Sequence, residues 1–417
     1  MADSNYIASV DIGSSKIVVL IADRLDDGLL EVVGHAKGVS KGVKKGQIVN
    51  VEEVALAIKK VVNKAINSCN SNFDSVVVNI SDPNIRVFNL FPDTHVSSGK
   101  VKKSNVEAVI KNVESRKFRE TEKCISRITH HYTLDKDLET NQGVVVKQPI
   151  GKNASTLEAS VHVVVISKQR VNDIEKSIEL CHLKAHKLVM NSMASSEPYL
   201  IESQKDNGVC LIDIGSGVMD LSIFTNGGLF YSTTIPVGAD QITIDIADAF
   251  DTSFEEAERL KLTYGQAQVK MLVGDRLICF EQVNDAHQYY LSHESLIEVI
   301  EESYKTLLLL IKKKINDQDK NLYRLIKSFL LVGGGAKIEG CENLALSCLN
   351  KRVKIGHVNR EIIRTDSNSI SSNDDLLAPE YACALGLLLF NDNERTLDYK
   401  EERSAKSGVL DKLFKSF

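Results

Sequence analysis

The sequence predicts an α/β protein built from two related halves, with a small α/β subdomain inserted into the first, and three stretches carry that reading. In residues 213–220, Asp213-Ile214-Gly215-Ser216-Gly217-Val218-Met219-Asp220, carboxylates and glycines stand at a tight turn between the apolar runs 208–214 and 218–224. Glycine lets a backbone take positive φ and come close to a ligand, and successive amide hydrogens in such a turn form a concave nest for an anion. Acidic residues beside that nest need a cation between them and a phosphate. Asp213 and Asp220 therefore point to magnesium, a hard ion that prefers carboxylate, water and phosphate oxygens. The device recurs near the N-terminus, where 6–12 reads as a buried strand, Gly13-Ser14-Ser15 as the turn and 16–21 as the returning strand. A third cluster, Gly333-Gly334-Gly335, follows the apolar run 329–332 and precedes a helix expected to start near Ile338. Singly, an Asp-x-Gly turn reads as a hairpin and a triple glycine as a loop. Together and in this order they are far more specific.

The remaining elements follow in order. After the first hairpin, Asn50 and Glu53 frame a helix start, and Val54, Ile58, Val61, Ala65 and Ile66 recur at helical spacing to form its buried face. Residues 73–80 return as a strand, so 1–83 read as the first part of the first half. Residues 84–166 carry no phosphate turn and alternate short strands, 124–134 and 157–166 among them, with one helix at 104–117; they read as the inserted subdomain. A helix is expected from Ser167 to about His186, so that 167–195 complete the first half. On that helix His182 and His186 would lie one turn apart, but Leu183 stands where a metalloprotease site needs glutamate, so a packing or surface role is favoured over zinc. His130 and His131 read as a strand pair, and Glu197 as a helix-capping carboxylate. The second half, 196–357, has a hairpin at Asn226-Gly227-Gly228. Its outer subdomain, 236–304, holds a helix opened by Ser253 and Glu256 that carries Glu258 and Lys261 one turn apart and ends near Gly265. A long helix from about His293 to Ile315 follows, and 358–390 return to the first half.

Residues 391–406 are rich in charge and poor in apolar side chains, the composition of a mobile linker. In 407–417 the polarity reverses. Val409, Leu410, Leu413, Phe414 and Phe417 gather on one helical face with Lys412 and Lys415 toward its edges, the pattern of an amphipathic helix that seeks a membrane surface. Docking on its own domain is the alternative, which the polar linker disfavours.

Composition narrows the function classes. At 417 residues the chain exceeds what a single core usually serves, and 43% hydrophobic with 26% charged residues is ordinary for a globular protein. A formal charge of -5 argues against nucleic acid as the main partner. The N-terminus lacks the basic and apolar regions of an export signal, and no apolar run approaches membrane-spanning length. Eight cysteines without a Cys-x-x-Cys pair indicate free thiols rather than a disulfide framework or a zinc site, and a cytoplasmic setting is expected.

Two strand-turn-strand phosphate loops followed by a Gly-Gly-Gly loop resemble the actin and sugar-kinase ATPase superfamily. Five further motifs resemble the FtsA family of actin-like bacterial cell-division proteins: Gly42-Val43-Lys44-Lys45-Gly46-Gln47-Ile48-Val49-Asn50, Gln148-Pro149-Ile150-Gly151, Val237-Gly238-Ala239-Asp240-Gln241-Ile242-Thr243, Phe254-Glu255-Glu256-Ala257-Glu258-Arg259-Leu260-Lys261 and Gly333-Gly334-Gly335-Ala336-Lys337-Ile338-Glu339-Gly340. The similarity runs over residues 6–390. It implies a duplicated actin-like ATPase fold with ATP and Mg2+ in the cleft between its two domains. Gly13, Ser14, Ser15 and Lys16 from one turn and Gly215, Ser216 and Gly217 from the other are implied to enclose the phosphates. Asp11 and Asp213 are implied to hold magnesium through water and to act in catalysis, with Glu197 orienting an attacking water. Gly238, Glu258, Lys261, Gly333, Gly334, Gly335 and Lys337 are implied as further nucleotide contacts. Ser216 stands where many relatives have glycine, so at most slow hydrolysis is expected.

The implied partners are the C-terminal peptide of the tubulin-like division protein FtsZ, further copies of the chain in a filament, later division proteins and an anionic membrane surface. No nucleic acid is among them. The implied place is the inner face of the cell membrane at the division site. Filament contacts are implied for the inserted subdomain, where Gly151-Lys152-Asn153-Ala154-Ser155 is more polar than the family pattern. Two alternatives stand beside this reading. A small-molecule kinase of the same superfamily would need a catalytic aspartate beside a substrate pocket, for which no separate motif is found. A pilus-assembly actin-like adaptor would lack the amphipathic tail.

Overall fold

The computed structural model describes residues 6–26, 28–69, 73–137, 139–140, 142–283, 287–365 and 373–390. The expected linker at 391–406 and the amphipathic helix at 407–417, with all seven of its named residues, lie outside the described residues. The chain divides into two compact units, the larger comprising 1–89, 117–125 and 162–391 and the smaller centred on 90–116 and 126–161.

Within the larger unit, two sheets repeat one plan. The first runs Lys184–Met190, Ser75–Ile80, Tyr6–Ile12, Lys16–Arg24, Leu30–Val39, with Ile363–Thr365 added at the edge. The second runs Arg352–Ile355, Ser328–Val332, Val209–Ile214, Met219–Thr225, Gly228–Ile235. In each, the strand that leads into a glycine turn pairs antiparallel with the strand that leaves it and parallel with its other neighbour. The duplication is thus in the topology as well as the motif. Near-continuous apolar strands are what two-sided burial demands. In Tyr6–Ile12, Ala8, Val10 and Ile12 join a core under the helix Val51–Cys69, while Ile7 joins a separate one with Leu385 and Leu388 of the helix Ala382–Leu388. The second sheet packs on the helix His293–Gln318 through Tyr304, Leu308 and Ile311.

A further sheet runs Val144–Val146, Glu122–Leu134, Thr156–Ser167, Arg86–Leu90, with Asp93–His95 pairing Thr156–Ser167. Its helix is Lys103–Glu114, which buries Val106, Val109 and Val113. His130 and His131 lie on the strand Glu122–Leu134 as expected.

Two expected helices differ. The one expected over 167–186 is Lys168–Glu179, and His186 lies on the strand Lys184–Met190. His182 takes a left-handed φ of 63°, its N–H bonding Glu179 O at 2.9 Å while that of Leu183 bonds Ile178 O at 3.3 Å. That pair of bonds is a Schellman stop, which usually recruits glycine and is invisible in the side-chain pattern here. His182 and His186 therefore do not share a helical face. Behind the triple glycine, Gly334–Lys337 forms a 3-10 turn and Ile338 is extended, so the helix starts only at Cys341.

Candidate functional site

The two glycine turns close identically. Gly13 N–H bonds Lys16 O at 2.9 Å, and Gly215 N–H bonds Val218 O at 3.0 Å. They also approach one another: a Cβ on Gly217 would stand 2.6 Å from Ser14 Oγ, which itself accepts from Gly46 N–H at 3.0 Å. Between them opens a cavity of about 470 Å³. Of the residues expected at the site, Asp11, Gly13, Ser14, Ser15, Lys16, Asp213, Gly215, Ser216, Gly217, Glu258, Lys261, Gly333, Gly334, Gly335 and Lys337 line it.

Two do not. Glu197 follows the helix Asn191–Ser196, pairs with Lys205 at 3.3 Å and is not among the lining residues. A carboxylate one residue past a short helix faces whichever way the C-terminal end points, which sequence does not disclose. Gly238 acts from behind: a Cβ there would lie 2.4 Å from Ser216 O and 2.5 Å from Gly215 O, so it lets the chain pack on the second turn rather than touch the cavity.

Three buried carboxylates dominate the floor. Asp213 Oδ2 accepts from Asn191 Nδ2 at 3.1 Å and Ser195 Oγ at 2.5 Å. Asp220 accepts from Ser81, Thr234 and Asn191, with distances of 2.5 to 3.0 Å. Burial pushes the Asp11 carboxyl up to about 6, with Asp213 adding repulsion against the relief given by Lys16. Burial likewise pushes Asp220 up to about 7 and raises Asp213, whose hydrogen bonds from Ser195 and Asn191 oppose the shift. The shifts arise first from burial, and a cation among the three carboxylates would offset that cost. An all-oxygen, anionic donor set of this kind suits a hard divalent cation such as Mg2+.

At the other end of the cavity, Glu258 and Lys261 form an ion pair at 2.6 Å, and Lys261 Nζ also donates to Thr243 Oγ1 at 2.6 Å. Asn79, Asn191 and Glu380 are among the lining residues that the sequence reading missed. Asn79 accepts from Ile12 N–H at 2.7 Å and donates to Asn191 Oδ1 at 3.2 Å, so it locks the first turn to the carboxylate network. Asn191 bridges Asp213 and Asp220, and Glu380 closes the wall beside Lys16. The only available signal was position, since Asn79 and Asn191 each stand at the end of an apolar strand.

Comparison with known proteins adds the family. A family model described as "Cell division protein FtsA" matches residues 210–386, and one described as "SHS2 domain inserted in FTSA" matches 84–165. The cell division protein FtsA of Pseudomonas aeruginosa is 30% identical over 386 residues, covering 92% of this chain and 88% of that one. Those of Buchnera aphidicola from Acyrthosiphon pisum and of Escherichia coli K12 are 29% and 28% identical, each over 93% of this chain and 90% of theirs. Among solved structures, a PilM-PilN type IV pilus biogenesis complex matches with TM-score 0.63 at 16% identity, over 92% of this chain and 98% of that one. MreB5 of Spiroplasma citri bound to ADP matches with TM-score 0.52 at 13% identity, over 93% and 96%. At such identities the structural matches speak for the fold alone, which is the actin-like ATPase fold. The sequence relatives speak for more: this chain belongs to the FtsA family of actin-like cell-division proteins.

Proposed function

We propose that this chain binds ATP with Mg2+ in the cavity, assembles into an actin-like filament and ties FtsZ to the inner face of the cell membrane, where it recruits later division proteins. The observation that carries the reading is the convergence of two identical glycine turns on one cavity floored by Asp11, Asp213 and Asp220. In this scheme Ser14, Ser15, Lys16, Gly215, Ser216 and Gly217 enclose the phosphates. Asp11 and Asp213 hold the ion through water, and its charge neutralises the phosphates against the carboxylates. Glu258 and Lys261 edge the nucleoside end, where Gly333, Gly334 and Gly335 let it approach the backbone, and Lys337 faces the phosphates. Residues 84–166 supply filament contacts and 407–417 the membrane contact. Any hydrolysis is slow, with Ser216 in the second turn as one contributor.

The reading is tested with purified protein and labelled ATP. Retention on a filter that requires Mg2+ is expected, and no retention with the ion present sinks it. The remaining steps are tested separately. Isolated short helices are marginal in water, so membrane attachment rests on many tails acting together. Truncation after Lys406 is expected to abolish co-sedimentation with anionic liposomes under polymerising conditions, and unchanged pelleting would remove the tail from the scheme. The FtsZ C-terminal peptide should capture the full chain, and phosphate transfer to a sugar in a substrate screen would favour a kinase instead.

A further inference from the structure

Glu380 lies on the 3-10 turn Pro379–Tyr381, just before the helix Ala382–Leu388, and lines the cavity. Its carboxylate is shared among three lysines: Lys337 at 3.3 Å, Lys16 at 3.4 Å and Lys37 at 3.7 Å. Each distance exceeds the roughly 2.8 Å of a tight charge-assisted bond, so the carboxylate is divided rather than committed. One negative charge among three positive ones leaves the cluster cationic. Burial disfavours the ionised Glu380, yet Lys16, Lys337 and Lys37 together hold its carboxyl below the usual range.

The turn itself does not depend on that carboxylate. Gly333 N–H bonds Pro379 O at 2.9 Å, and Lys16 Nζ donates to the main-chain oxygen of Glu380 at 2.7 Å. The Tyr381 ring, nearly buried, lies 5.4 Å from Lys16 Nζ and 5.6 Å from Lys37 Nζ. The side chain can therefore swing away while its backbone stays. Lys16 and Lys337 line the cavity and Lys37 does not. A polyphosphate reaching from the glycine turns toward residues 333–337 thus meets two lysines already facing an internal anion.

We infer that Glu380 is a tethered competitor of the phosphates, which holds Lys16 and Lys337 when no nucleotide is bound, yields them to an entering polyphosphate, and so sets affinity and the preference for three phosphates over two. This rests on the cavity being the nucleotide site. Binding that must first displace an internal partner is weakened by the free energy of that partner's contact. Lys37 then acts from outside the cavity: by drawing on Glu380 it loosens the hold on the other two lysines.

The test is a binding titration of full-length wild type, Glu380→Gln, Lys37→Gln and the double variant with Mg·ATP, Mg·ADP and adenosine. Glutamine keeps the size and the main-chain acceptor while removing the charge. The expected result is that Glu380→Gln binds ATP about five- to tenfold tighter, ADP less so and adenosine unchanged, a coupling of ordinary size. Lys37→Gln is expected to weaken ATP binding in the wild-type background and to change little once Glu380 is glutamine. Should wild type bind ATP and Glu380→Gln bind it no tighter, this inference alone is overturned, as it is if Lys37→Gln has equal effects in both backgrounds. Absence of ATP binding in wild type and variant alike overturns the cavity reading and this inference with it. Lys37 is half exposed, so should the glutamine variant at 380 fold poorly, Lys37→Gln alone decides: ATP binding no weaker than that of wild type overturns the inference.

Discussion

Replacing Asp11 by asparagine is expected to raise the melting temperature of the nucleotide-free protein and to abolish the gain that Mg·ATP gives the wild type. Asp11 is pushed up to about 6, chiefly by burial and further by Asp213. A carboxyl whose pKa is higher folded than unfolded binds its proton more tightly in the fold, so its ionisation weakens folding. The sign follows: stability is greatest below the ordinary value of 3.8 and is lost as pH rises through about 6 for Asp11 and about 7 for Asp220. This is the reverse of a salt-bridged surface carboxylate. An amide at position 11 carries no charge to bury, which is worth on the order of 3 kcal/mol at pH 8 and only about 0.5 kcal/mol at pH 4. Nucleotide and ion at a hundredfold excess over Kd would stabilise the wild type by about 2.7 kcal/mol. At pH 8 the gap between the two proteins should therefore nearly close when Mg·ATP is added, as a site that trades stability for binding requires. Calorimetry at pH 5 and pH 8, with and without Mg·ATP, checks both halves. A variant less stable than wild type at every pH, or one that keeps the full ligand-induced shift, would refute the assignment of Asp11.

What was legible in the sequence divides along a physical line. Asp11, Asp213 and the turns after them could be read because a buried carboxylate followed by glycine breaks an apolar strand at one point, and the break repeats. Glu258 and Lys261 could be read because helical spacing joins them. Asn79 and Glu380 could not, since each meets its partner across long stretches of chain: Asn79 is 67 residues from Ile12 and Glu380 is 364 from Lys16. Topology alone makes such pairs neighbours, through a parallel strand in one case and the returning C-terminal helix in the other. The overrun at His182 has a different origin. The stop there is made by two backbone hydrogen bonds and a left-handed histidine, while the side chains on either side continue to look helical. The pairing of Glu197 with Lys205 is of the same kind, since the direction of that carboxylate is not encoded by the residues around it.

The three consecutive glycines should separate into two kinds on substitution. Gly333 has φ of 86°, and a Cβ there would stand 2.4 Å from Asp213 Oδ1 and 2.5 Å from Ile214 O. Alanine must therefore either abandon the left-handed backbone or drive the carboxylate and the adjoining strand aside. Loss of a special φ together with a clash against backbone costs about 3 kcal/mol or more. Gly335 is confined by Ile214, whose Cγ2 would lie 2.4 Å from its Cβ. Gly334 differs from both: nothing lies within 4 Å of a Cβ built there, its φ is not left-handed, and it lines the cavity. Gly334→Val should accordingly melt close to wild type, because exposed substitutions away from packed features usually stay within about 0.5 kcal/mol. It should nevertheless bind ATP at least tenfold more weakly, since the isopropyl group fills space assigned to the nucleoside, and tenfold is about 1.4 kcal/mol. Gly333→Ala should lose stability and binding together. Melting curves and ATP titrations on the two variants decide the matter: if Gly334→Val binds as wild type does, the nucleoside does not lie against this loop, and the placement of the triple glycine at the adenosine end is wrong.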